Sequence, residues 1–200
     1  MILARPGVEV LVERRNEHSR FAPGFVVFPG GVVDPGDAGL AERWFGTREE
    51  AARACALREL REEARLVVTV DGVEAASDAG PGGSEPPPVT RLVEVARWVA
   101  PEFLEVRFDA FFYAVGSPGG VEPRPDGVEI EGAWWARPAD VLEMSARGEA
   151  PLMWPTLVML EALERCATVD DVLALRVPQV EPPVPRNAPG GGPRAFRPAR

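Results

Sequence analysis

Two hundred residues suffice for one domain with a real core and are too few for two comfortable ones. The apolar share of 46% is typical of a globular chain, no apolar run reaches the length of a membrane span, and no signal pattern opens the sequence, so a cytoplasmic protein without a membrane partner is expected. The formal charge of −9 argues against nucleic acid as the main partner, since a phosphate backbone demands a basic surface; an anionic small molecule can still bind locally through arginines and a metal.

Taken in order, the chain begins with two β-rich runs between Ile2 and Val12, split by Arg5-Pro6-Gly7, which predicts a hairpin or edge strand pair. After the polar segment from Glu13 to Arg20, a third strand is expected over Phe25 to Phe28. It is stopped by Pro29-Gly30-Gly31, where the backbone must turn sharply or approach something closely. Val32 to Thr47 is irregular, with a turn at Asp34-Pro35-Gly36-Asp37 and a short helical patch around Leu40 to Phe45. Thr47, three residues before Glu50, predicts a capping box opening the helix that follows.

Leu66 to Val70 reads as a strand and Glu74 to Val89 as a flexible surface loop. Further strands are expected over Leu92 to Val99, Val106 to Val115 and Val128 to Ala136, and Pro118 to Gly127 is a turn-rich loop. Helices are expected over Pro138 to Ala146 and Trp154 to Cys166, with a short helical piece at Val169 to Leu175. From Pro178 onward there is little to bury, and a disordered tail is expected. The two cysteines, Cys55 and Cys166, sit in separate helical patterns and read as buried thiols. This order of elements predicts α+β, with a mixed sheet sandwiched between helices in an α/β/α arrangement.

The stretch from Ala51 to Leu66, AARACALRELREEARL, carries the chemistry. At 3.6 residues per turn, Glu59, Glu62 and Glu63 fall at i, i+3 and i+4, so three carboxylates share one side, while Ala52, Cys55, Ala56, Leu60 and Ala64 supply a face that can pack. Like charges so spaced repel by roughly 0.2–0.5 kcal/mol per pair, which a solvated surface helix tolerates and a bound divalent cation turns into attraction.

Gly30-Gly31, Glu50, Arg58-Glu59-Leu60-Arg61-Glu62-Glu63 and the apolar Leu66 together resemble the Nudix box, a Gly, five residues, a Glu, seven residues, then REUxEExGU with U a bulky aliphatic residue. The spacing from Glu50 to Leu66 matches. The glycine pair stands further from Glu50 than the pattern allows, so residues 32–49 contain an insertion, and Arg65 replaces the glycine that follows the acidic pair. The resemblance implies a Nudix fold over residues 1–177 and a hydrolase using Mg²⁺ or Mn²⁺ on a nucleotide diphosphate. It also implies that Glu59, Glu62 and Glu63 are catalytic metal ligands, joined by the Gly31 or Gly30 carbonyl. Arg58 orients a carboxylate and Glu50 supports the helix.

Leu11-Val12-Glu13-Arg14-Arg15, Arg20, Gly24 and Phe28-Pro29-Gly30-Gly31 are similar to the motif preceding the box in coenzyme A diphosphatases, with Glu13 where Thr is usual and Asn16 where a small residue is usual. This implies coenzyme A or acyl-coenzyme A as substrate, held by Arg15, Arg20 and Gly30; the plainer account of both arginines is a solvated loop. The insertion, the stretch from Ala96 to Val115, and Asp126-Gly127-Val128-Glu129 ahead of Trp134-Trp135 resemble the peroxisomal branch of those enzymes and its bacterial relatives. Glu129 or Glu131 would supply the further catalytic carboxylate that this superfamily often takes from a downstream loop, or both are exposed strand-end acids. ADP-ribose, NADH and nucleoside triphosphates are the alternative substrates, and a catalytically silent nucleotide-binding domain is the alternative role. Many relatives are homodimers, and the sequence leaves the oligomeric state open.

Overall fold

The computed structural model describes residues 1–77, 92–99 and 108–181. The expected loop beyond residue 77, residues 100–107 and the tail from residue 182 lie outside the described residues. Strand β1 (Ile2–Arg5) sits inside a mixed sheet, antiparallel to β2 (Glu9–Arg15) and parallel to β7 (Asp109–Gly116), which pairs antiparallel with β6 (Val93–Val99). The other edge of β2 is taken from Val10 to Arg15 by β8 (Ile130–Ala136), leaving Glu13 and Arg14 to pair with the short β3 (Val26–Val27) beyond the end of β1. Strands β4 (Leu66–Val68) and β5 (Val73–Ala75) form a separate hairpin.

Side chains alternate across a strand, and here the alternation divides the core in two. Ile2, Ala4, Val10 and Val12 face one side, where they pack with Val141 and Leu142 of α3 (Pro138–Arg147), Leu157 and Leu160 of α4 (Trp154–Leu163), and Val172 of α5 (Val169–Ala174). Leu3, Leu11, Tyr113 and Val115 face the other side and meet Ala56, Leu57, Leu60 and Ala64 of α2 (Ala51–Ala64), with Leu66, Val68 and Val73 closing the layer. A sheet buried on both faces by helices is the expected α/β/α sandwich.

Four local expectations change. The helix before the acidic one, α1, begins at Asp37 and runs to Phe45, earlier than the Leu40 patch suggested. Thr47 does not form a capping box: its Oγ1 accepts the Glu49 N–H at 3.3 Å and opens a single 3₁₀ turn, Arg48–Glu50, before α2. The Glu50 carboxylate is engaged by Arg53 instead, so it does not reach back to the cap. Part of the loop expected from Glu74 is strand, because Val73 is buried against α2 and holds β5 to β4. Helix α4 stops at Leu163, so Cys166 lies beyond it and is half-buried, whereas Cys55 is buried as expected.

Candidate active site

The site forms where the loop after β3 crosses α2. Gly30 has φ +151°, a conformation open to glycine, and this aims its N–H at Glu63 Oε2, 2.8 Å away. Gly31 lies so close to α2 that a Cβ there would collide with the Glu59 carboxylate. The two glycines therefore do different work: one turns a donor towards a carboxylate, the other leaves room for one. Cys55 Sγ, one turn before Glu59, lies 3.8 Å from the Gly31 carbonyl oxygen and ties the loop to the helix a second time.

Within α2, Glu63 is almost fully buried, and burial lifts its pKa to about 7. The Gly30 N–H opposes that rise and the Glu59 charge adds to it. Glu59 is also raised, first by burial, with Arg58 pulling it back. Glu62 is the outermost of the three, with a side chain 58% exposed. Arg58 Nη1 stands 2.9 Å from both Glu59 Oε1 and Glu62 Oε2. The helix ends in a left-handed residue, Arg65 at φ +56°, whose N–H bonds back to Arg61 and Leu60. The tight turn that a glycine usually makes is thus kept by an arginine. The carbonyls of Glu63 and Ala64 are satisfied by the N–H groups of Asp126 and Arg124, which lays the loop before β8 across the end of α2.

That loop also carries Glu129, the first of the two downstream acids. Asp126 Oδ1 accepts the N–H groups of Val128, Glu129 and Ile130, and the Glu129 charge then bears on both Glu59 and Glu63. Glu131 lies exposed on β8. Arg15 is half-buried, with Nη2 2.6 Å from Glu129 Oε1 and Nε donating to the Phe21 carbonyl, so it latches the β2–β3 loop to the Glu129 loop. Arg20 stands exposed on the first of these loops. Glu50 does not join the carboxylates; it pairs with Arg53, whose guanidinium lies 4.7 Å over the Tyr113 ring.

Two carboxylates escaped the sequence reading. Asp37, fully buried at the start of α1, takes the Nε–Nη2 edge of Arg58 at 2.9 and 3.1 Å; it follows Gly31 after five residues, the spacing of the box's first acid, so the insertion lies after Asp37 and not after the glycine pair. Glu13 is fully buried beside Glu63, and burial together with the Glu63 charge pushes its pKa to about 9. Its signal was available, since it stands two residues after Leu11 and must share that residue's inward face. The buried Met1 ammonium lies between these carboxylates and the loop, donating to the Pro29 carbonyl, and burial draws its pKa down.

Among the described residues no three of these groups already stand at metal-ligand spacing. The donor set nonetheless fits a hard divalent cation: the carboxylates of buried Glu63 and half-buried Glu59 repel one another, and Glu62 stands on the open side.

The site is thus a glycine-rich loop seated on the carboxylates of one helix, beside a sheet between helix layers. The NUDIX domain family matches residues 1–154, and the chain belongs to it. Divalent metal ions and small nucleotide substrates go with that family. A NUDIX hydrolase from Alicyclobacillus acidocaldarius superposes with a TM-score of 0.72 at 29% identity, over 88% of this chain and 93% of that one. A MutT NUDIX hydrolase from Burkholderia pseudomallei gives 0.48 at 18% identity, over 80% and 94%. An Ap4A hydrolase from C. elegans gives 0.37 at 16%, over 71% and 80%. No curated protein matches the chain.

Proposed function

We propose that this pyrophosphohydrolase cleaves the diphosphate of coenzyme A or an acyl-coenzyme A, with Mg²⁺ or Mn²⁺, releasing 3′,5′-ADP and a phosphopantetheine. The observation that carries the reading is continuity. The run from Leu11 to Gly31, similar to the coenzyme A diphosphatase motif, folds as β2, an arginine-bearing loop and β3, and ends on the N–H that holds Glu63. Arg15, Arg20 and the glycine that holds Glu63 thus belong to one continuous stretch of chain.

When bound, the metal neutralises diphosphate oxygens and makes a water acidic enough to attack at neutral pH. The chain supplies the rest. Glu59, Glu62 and Glu63 would hold the cation, with the Gly31 carbonyl as an added oxygen. The Gly30 N–H keeps Glu63 from swinging, and Arg58 restrains Glu59 and Glu62. Glu129, which pairs with Arg15 and whose charge raises both Glu59 and Glu63, would be the downstream carboxylate that accepts a proton from the attacking water, in preference to Glu131. Arg20, exposed on the β2–β3 loop, would hold a phosphate.

The test is turnover by purified protein with Mg²⁺ of coenzyme A, ADP-ribose, NADH and deoxynucleoside triphosphates, with Glu62→Gln alongside. Cleavage of coenzyme A to 3′,5′-ADP, lost in the variant, is expected. Preference for ADP-ribose, NADH or a triphosphate would overturn the substrate; no turnover of any, or turnover unchanged in Glu62→Gln, would overturn the mechanism.

A further inference from the structure

The loop between β2 and β3 is held at both ends. The Asn16 N–H donates to the Glu129 carbonyl at 2.9 Å, the Gly24 N–H donates to the Arg15 carbonyl at 3.2 Å, and Arg14 Nη1 donates to the Gly24 carbonyl at 3.3 Å. Between those ends Ala22 is fully buried against Phe25, Val27 and Met153, at φ +48°, a left-handed value that a Cβ disfavours and that the surrounding packing must maintain. With Ala22 drawn inward, its neighbour Phe21 is left outside, 41% exposed. Among the described residues only Phe108 is another aromatic side chain as open to water. A flat apolar face on a backbone already fixed is one that a ligand can cover at little ordering cost.

One guanidinium ties that residue to the site. Arg15 Nε donates to the Phe21 carbonyl at 3.1 Å while Nη2 reaches Glu129 Oε1 at 2.6 Å, so a single side chain joins Phe21 to an acid whose charge bears on Glu59 and Glu63. On the other side of the same ion pair Val128, the residue before Glu129, is 79% exposed, and its N–H is held by Asp126 Oδ1 at 3.0 Å. Two open apolar side chains thus flank the latch between the loops. A nucleotide brings its phosphates to the carboxylates and has one flat, weakly polar part left to place, the base. We propose that Phe21 is the base-stacking residue of the site: a purine lies on its ring, with Val128 as the second apolar contact. This rests on the reading of the carboxylate cluster as the place where the diphosphate is bound. Stacking supplies area and no hydrogen-bond readout, so the slot selects a flat base over a sugar or an alkyl chain, and a purine over a pyrimidine by its larger face.

Calorimetric binding of ADP, 3′,5′-ADP and inorganic pyrophosphate with Mg²⁺ present, alongside Tm and KM, separates the base from the phosphates. Phe21→Leu keeps the apolar bulk and loses the flat face. It is expected to weaken ADP and 3′,5′-ADP about tenfold, to leave pyrophosphate binding and Tm near wild type, and to raise KM for whichever nucleotide is turned over. Phe21→Trp restores a flat face and is expected to bind both nucleotides at least as tightly as wild type, and Val128→Ser to weaken them severalfold. Equal nucleotide affinity in wild type and Phe21→Leu, a Phe21→Trp variant as weak as Phe21→Leu, or a loss of pyrophosphate binding as large as the loss of ADP binding would overturn the proposal and leave the cleavage reading standing. A wild-type protein that binds neither nucleotide would overturn it as well. Nucleotide binding that weakens in Phe21→Leu as expected, in a protein that cleaves no member of the substrate panel, would overturn the cleavage reading alone.

Discussion

Arg65 adopts φ +56°, where a Cβ crowds the following carbonyl and costs roughly 1–2 kcal/mol. Arg65→Gly removes that strain and gives back part of it as chain entropy, so it is expected to stabilise by about 1 kcal/mol or less. A higher urea midpoint with unchanged turnover checks this; a lower midpoint would show that the arginine side chain earns its place. Glu63 predicts a pH dependence. Its folded pKa, about 7, lies above the ordinary value of 4.5, so the folded state holds the proton more tightly. Its contribution is fully present below pH 4.5 and is lost as pH rises to about 7; Glu13, at about 9, extends the same trend upward. Asp37 is lowered and titrates below this window, while the Met1 ammonium, drawn below 8.0, acts in the opposite sense. In chelator, Tm of the wild type should therefore fall between pH 5 and 8 more steeply than that of Glu63→Gln. Parallel curves for the two proteins would refute it.

At the scale of elements, the site is a junction between one loop and one helix, and its two glycines were legible as a turn but not as two separate devices. At Gly31 a methyl group meets the Glu59 carboxylate, whereas at Gly30 the nearest atom stands 3.6 Å away and only the backbone angle objects. Gly31→Ala is accordingly expected to cut kcat/KM about a hundredfold by displacing Glu59, a cost of the size misplacement by an ångström produces. Gly30→Ala should show its larger effect in Tm. Steady-state kinetics and thermal unfolding of both variants separate these outcomes. The spacing of Glu59, Glu62 and Glu63 puts them on one face, because helical periodicity is local. It did not tell which one would be buried, because that depends on where Gly30 points its N–H.

In the whole molecule, Arg15 and Glu129 are 114 positions apart, and their ion pair closes the site between two loops. Glu129 is half-exposed, so the direct coupling is expected to be modest, up to about 1 kcal/mol in a double-mutant cycle of Arg15→Ala and Glu129→Gln. Stability of the four proteins in urea measures it. If Arg15 acts through Glu129, the double variant should turn over no more slowly than Glu129→Gln alone; a further loss would return Arg15 to direct contact with phosphate.

The sequence by itself determined the layer order, the acidic helix with its three carboxylates, and the glycine loop that must meet it. Each rests on short-range periodicity, or on residues whose backbone preferences are fixed by their own chemistry. It took the tertiary structure to show that Asp37 anchors Arg58 while Glu50 turns to Arg53, that Arg15 pairs with Glu129, and that Glu13 lies buried beside Glu63. Partners such as Arg53 for Glu50 and Glu129 for Arg15 are chosen by which loops, helices and strands come together in three dimensions, a long-range outcome that local periodicity does not encode.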